Sequence, residues 1–231
     1  MSDTPIDVFI DLPSFPGPVQ AGRLWSHFRK GRESASFEYN KEWLANPHRF
    51  ALEPLLPLAD GTFHTNPGQS VFGAIGDSTP DRWGRILMRR AELARARTAN
   101  ESPHTLSELD YLLRVNDEAR QGALRFSQDG GQSFCAPPGS TPIPPLVNLS
   151  RLLHAADHFC RDDENAEDLR LLLAPGSSLG GARPKASVKD KKGNLCIAKF
   201  PRYDDEYNVV AWEAVALTLA SKAGLQVPRF E

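Results

Sequence analysis

Residues 127–145 read SQDGGQSFCAPPGSTPIPP, and neither a helix nor a strand fits that stretch. Proline removes backbone donors and fixes φ, glycine spreads the chain over too many conformations, and no helical period runs through it. The chain therefore divides into a first domain over 1–128, a Pro/Gly/Ser-rich linker over 129–145 and a second domain over 146–231. At 231 residues there is enough chain for each half to hold its own core.

Composition narrows the function. Apolar residues at 40% and charged residues at 24% are ordinary for a globular chain. A net charge of −2 argues against a broad nucleic-acid surface, which shows as basic excess. Cys135, Cys160 and Cys196 are odd in number and far apart, so neither a disulfide framework nor a zinc knuckle is indicated. The N-terminus lacks a basic, apolar leader and no run reaches membrane length, so a cytoplasmic protein is expected.

IDVFIDL (6–12), AGRLWSHF (21–28) and SASFEYN (34–40) read as strands, the first two flanking the turn SFPGP. A helix is expected to open at Ser78-Thr79-Pro80-Asp81, with a hydroxyl cap, a proline and an early acid. Trp83, Ile86, Leu87, Ala91, Leu93 and Ala94 give it a broad apolar face. Its arginines, Arg82, Arg85, Arg89, Arg90, Arg95 and Arg97, read as a solvated face in preference to a nucleic-acid ridge. TLSELDYLLRV (105–115) begins with a capping box, Thr105 with Glu108, and GALRF (122–126) reads as a strand. Two short helices follow the linker, over 149–160 and 165–173. His154 and His158 stand four apart near Cys160, but HExxH is absent and no third ligand presents itself, so no metal is expected.

The chemistry concentrates in PGSSLGGARPKASVKDKKGNLCIAKFPRYDDEY, 175–207. Gly180-Gly181 lets backbone N–H groups approach a ligand and form a nest for anions, although neither the Walker pattern nor GxGxxG is matched. KASVK (185–189) and LCIAKF (195–200) flank DKKGN as a hairpin, with Leu195, Ile197 and Lys199 on one face. In the helix after it, closed by Gly224, Glu213 is the only charged residue from Val209 to Ala220 and shares an apolar face with Val209, Ala216 and Leu217. A carboxylate there wants a cation, and Lys199 is the candidate. Asp204 and Asp205 read as a solvated turn. A glycine loop, a strand lysine and a helix glutamate follow the logic of a protein-kinase N-lobe gripping ATP phosphates.

With those residues in view, the sequence resembles the HipA family of toxin serine/threonine kinases. SFEYNKEWLANPHRFALEPLLPL (36–58), DSTPDRWGRILMRR (77–90) and ARQGALRF (119–126) resemble its N-terminal domain. SSLGGARPKA (177–186), AKFP (198–201) and the 209–228 segment ending GLQVP resemble its phosphate loop, lysine strand and following helix. The resemblance implies an α+β chain: a mixed N-terminal domain with antiparallel strands, then a kinase-like N-lobe.

It also implies that Gly180, Gly181, Ala182, Arg183 and Lys185 line the nucleotide, that Lys199 binds phosphates and that Glu213 orients Lys199. Ser178 is the implied autophosphorylation site. ATP and Mg²⁺ are the implied cofactors, a HipB-like antitoxin the partner, an aminoacyl-tRNA synthetase the class of target, with DNA reached only through the antitoxin. One departure stands out. No HxD-type loop, DFG-type Asp or downstream Asn is present, and family members run to about twice this length, as a two-lobed enzyme requires. The chain is thus expected to carry the nucleotide-gripping half of a kinase, inactive by itself; the alternative is a non-catalytic nucleotide- or partner-binding module.

Overall fold

A computed structural model of the chain describes residues 5–134, 143–176 and 179–231, with backbone alone at 174–176. Three antiparallel strands open it: β1 (Ile6–Ile10), β2 (Val19–Arg29) and β3 (Arg32–Tyr39). Asn40 then caps the short helix α1 (Lys41–Ala45), its side chain accepting from the Glu42 amide. β4 (Thr62–His64) pairs with β3, and α2 (Gly73–Gly76) leads into the long α3 (Arg82–Ala99) and the shorter α4 (Glu108–Leu113). β5 (Leu124–Ser127) returns to pair with β1, giving the order β4-β3-β2-β1-β5. Because β1 lies inside the sheet, all five of its residues are buried. Asp7 survives there because Gln20 and Arg23 donate to its carboxylate at 2.7 and 2.9 Å.

After the linker come α5 (Leu149–Cys160) and α6 (Ala166–Gly176), then the hairpin β6 (Lys185–Lys189) and β7 (Leu195–Lys199), then α7 (Val209–Lys222). The chain is therefore α+β, with antiparallel sheets and packed helices. Two main cores form. Ile6, Val8, Leu24, Phe37, Trp43 and Phe126 fill the first, against the five-stranded sheet. Trp83, Leu87, Leu152, Phe159, Leu172 and Val188 fill the second, so α3 packs its apolar face with α5, α6 and the hairpin. Among the described residues no helix is long and apolar enough to cross a membrane.

The helix starts differ from the expected ones for a common reason, namely that the anticipated caps are engaged elsewhere. Thr79 donates its hydroxyl back to Gly76 O at 2.6 Å, leaving Asp81 to cap α3 through the Arg82 amide. Glu108 is gripped by Arg85 at 2.5 and 2.7 Å, so the capping box of α4 is Ser107 with Asp110 instead of Thr105 with Glu108. The arginine ridge is not one solvated face. Arg85 holds Glu108, Arg90 lies over the Phe159 ring and pairs with Asp162 and Glu164, and Arg95 pairs with Glu92 and Glu101. Arg82, Arg89 and Arg97 are exposed; so is Leu93, which leaves the buried face to Trp83, Leu87, Met88 and Ala96.

Glu92 is the one acid buried in α3, at 3% exposure. Arg95 donates to it at 2.8 Å, the His104 amide at 3.2 Å and Arg114 at 3.2 Å, which ties α3 to the loop and helix that follow. These donors, Arg95 foremost, pull its carboxyl from the ordinary 4.5 down to about 2. A depressed carboxyl stabilises the fold above its unfolded value and loses that contribution as pH falls toward the folded one, so up to about 3 kcal/mol is involved. Glu92→Gln is expected to lower the urea-unfolding free energy by about 2–3 kcal/mol at pH 7, with the gap to wild type closing between pH 4.5 and 2. Equal stabilities at pH 7 would mean the carboxylate contributes nothing.

Candidate functional site

The hairpin is built first. Asp190 receives the amides of Lys192 and Asn194 at 2.8 and 2.9 Å, and Gly193 takes φ +81°, which closes DKKGN into a tight turn. The resulting register sets Lys185 directly opposite Lys199. Directly paired residues share a face of the sheet, and two like charges so placed repel. Burial lowers the pKa of the Lys185 ammonium, and the charge of Lys199 pushes it further down. Such a pair persists where anions or dipoles meet each ammonium. Lys185 donates to Gly180 O, and Lys199 pairs with Glu213.

Asn208 caps α7 by accepting from the Ala211 amide at 3.0 Å, which sets Glu213 on the second turn, level with the end of β7. Sequence reasoning anticipates the Lys199–Glu213 pair, and the structure forms it. Its surroundings differ from the covered apolar face expected. The two side chains keep 45% and 41% of their surface, and no described residue of α7 is buried. Trp212, Leu219, Ile197 and Leu225 are likewise exposed, so the hairpin and α7 present an open apolar face around the pair.

The glycine loop lies beside the lysines. Leu179 is buried and anchors its start, while Gly180, Gly181 and Ala182 are exposed. Gly181 has φ +80°, and a Cβ there would meet Lys185 Nζ at 2.8 Å. Arg183 is held by Asp205, whose other oxygen accepts the Arg202 amide at 2.9 Å. Asp204 pairs with Arg202 at 2.7 Å and stays exposed in a turn, as expected, whereas Asp205 is drawn in against Arg183. Ser178 lies outside the described residues.

The loop has a second set of holders that sequence spacing does not show. Asp81 Oδ2 accepts the Gly181 amide at 2.5 Å, and the Trp83 amide donates to Gly181 O at 3.0 Å. Trp83 Nε1 donates to Lys185 O at 2.9 Å. About a hundred residues separate these partners, and the only signal for them was DSTPDRWGR, which reads as the start of a helix. The histidine pair serves the fold: the rings of His154 and His158 lie 4.1 Å apart, and His158 Nδ1 meets Asp168 at 3.0 Å. Among the described residues no group of three or more His, Cys, Asp or Glu could hold a metal ion.

A glycine loop, a lysine-paired hairpin and a helix carboxylate thus lie together, and comparison with known proteins gives the family. The model for the HipA N-terminal domain matches residues 17–127, and that for the HipA-like C-terminal domain matches 177–231. The chain belongs to the HipA family, a family of toxins that pair with a HipB-like antitoxin. No curated protein matches it.

The two glycines of the loop are expected to respond differently. Gly180 has open space, the nearest atom to an added Cβ being Asp81 Oδ2 at 3.6 Å. Gly180→Ala should change urea-unfolding stability by less than about 0.5 kcal/mol. Gly181→Ala should cost about 1–2 kcal/mol, from the left-handed backbone and the displaced Lys185. Equal costs would show that the conformation at 181 is unconstrained.

Proposed function

We propose that this chain grips the phosphates of ATP as part of a HipA-like serine/threonine kinase. The observation that carries the reading is the Lys185–Lys199 pair: two ammoniums on one face of a hairpin, beside exposed loop glycines, with Lys199 oriented by Glu213. An anion between them would relieve their repulsion, and loop amides would add to its binding. Gly180, Gly181, Ala182 and Arg183 line the phosphates in this reading, Lys185 and Lys199 hold them, and Glu213 keeps Lys199 extended. Ile197, two residues before Lys199 on the same strand face, offers apolar surface for the base.

The donor set suits phosphate and does not suit Mg²⁺. Asp81, Asp205 and Glu213 are each taken up by an amide or a cation, and they do not converge. In the whole reaction the γ-phosphoryl group passes from ATP to a serine hydroxyl, leaving ADP, with Ser178 the acceptor in cis. An aminoacyl-tRNA synthetase is the proposed target class, and a HipB-like antitoxin the proposed partner of this chain.

A second reading, a partner-binding module without catalysis, is favoured by the open apolar face of Trp212, Leu219 and Ile197, since faces of that kind mark interaction sites.

The test is a titration with Mg-ATP, followed by intact-mass measurement. Lys199→Ala is expected to weaken binding by about 10- to 100-fold, the loss of one charge-assisted phosphate contact. Unchanged affinity would remove Lys199 from the site. The chain, expected to be inactive by itself, should bind Mg-ATP without gaining mass, and a gain of one phosphate lost in Ser178→Ala would show that it carries out the transfer. No binding at all would favour the partner-binding module over the nucleotide site.

A further inference from the structure

The contact between α3 and the glycine loop is a peculiar one for a nucleotide site. Asp81 is the N-cap of α3, and it uses both carboxylate oxygens: Oδ1 takes the Arg82 amide at 2.8 Å and Oδ2 takes the Gly181 amide at 2.5 Å. The first bond is the one by which Asp81 caps the helix, taken from the first helical amide. The second is not needed by the helix. Gly181 stands in the left-handed region, and its N–H is the kind of donor an anion nest offers to phosphate. Here a carboxylate of the same chain already occupies it. Asp81 also lies close enough to Lys185 for the two charges to act on each other's titration.

We propose that Asp81 is a resident anion in the phosphate loop, a built-in competitor that nucleotide phosphates must displace from the Gly181 amide. Phosphate and the Asp81 carboxylate compete for that one amide hydrogen, and the two anions repel when both approach the lysine pair. Nucleotide entry therefore requires the Asp81–Gly181 bond to open. The Trp83 bonds to Gly181 O and Lys185 O keep the loop moored to α3 while that happens. The site in this form is autoinhibited, and the strength of the inhibition is set from the first half of the chain. This inference rests on the nucleotide reading above and names a regulator of the same site.

Asn and Ser cap helices about as well as Asp, so Asp81→Asn and Asp81→Ser keep α3 capped while deleting the charge. Full-length wild type, both variants and Lys199→Ala are titrated with Mg-ATP at one salt concentration, after thermal melting has shown that each is folded. Amide hydrogen exchange of the 179–185 segment is measured without nucleotide. The gate predicts binding at least about fivefold tighter in Asp81→Asn and Asp81→Ser than in wild type. It also predicts faster exchange of the Gly181 amide with melting temperatures little changed.

Equal or weaker binding in both Asp81 variants, with Lys199→Ala still weaker than wild type, overturns the gate and leaves the nucleotide reading standing. If neither wild type nor the Asp81 variants bind Mg-ATP, both fall. Unaltered exchange at Gly181 would overturn the gate by itself, since the bond in question would not be holding the loop.

Discussion

Trp83 holds the two halves of this molecule in one arrangement. Its ring sits in the second core, edge-on to Phe159 with centroids 5.1 Å apart, while its indole N–H and backbone N–H reach Lys185 O and Gly181 O. A buried tryptophan usually finds a partner for its N–H, and for Trp83 the partner is the first residue of the lysine hairpin. The same side chain thus contributes apolar burial, satisfies its polar atom and sets the distance between α3 and the glycine loop. Had the ring packed elsewhere, the loop would lose two of its fixed points and Asp81 would no longer face Gly181.

From that joint the electrostatics of α3 fall into order. A helix carrying so many arginines would repel itself unless acids were brought to it, and the fold supplies them from every side. Glu108 comes from α4, Asp162 and Glu164 from the turn after α5, and Glu92 and Glu101 from the helix and its exit. Half-buried arginines with bidentate or stacked partners are ordering elements, worth more in geometry than the near-zero median of surface pairs. They hold α3 against α4, α5 and the turn after α5, and so hold its N-terminus where the loop needs it.

The local features were legible in the sequence because they rest on short-range chemistry. Strands fall where the apolar runs place them, α5 starts and ends where expected, DKKGN closes a hairpin, and Lys199 meets Glu213 because strand register and helix phase are both periodic. What stayed hidden depends on competition between partners far apart in the chain. Thr105 and Glu108 make a plausible capping box until Arg85 is found to claim Glu108. Asp81 reads as an early helix acid until Gly181 arrives a hundred residues later. The exposure of α7 was hidden for a different reason. An apolar helix with one acid implies a buried face, and burial is a property of what packs against it, which the helix's own sequence does not contain.

The charges at the site close on themselves in an instructive way. Two ammoniums face each other across the hairpin, and two carboxylates stand near them: Glu213 pairs with Lys199, and Asp81 acts on Lys185 through space while bonded to the loop amide. The lysines are therefore neutralised without any ligand, which is how a like-charge pair can be held opposite on one sheet face. The two carboxylates are not equivalent, however. Glu213 approaches from the helix after β7 and pairs with a Lys199 whose side chain stays half exposed. Asp81 takes the amide itself, a donor with a single hydrogen to give. In the proposed nucleotide site one carboxylate would prepare Lys199 for phosphate and the other would stand in for it, and the difference follows from which atoms each one touches.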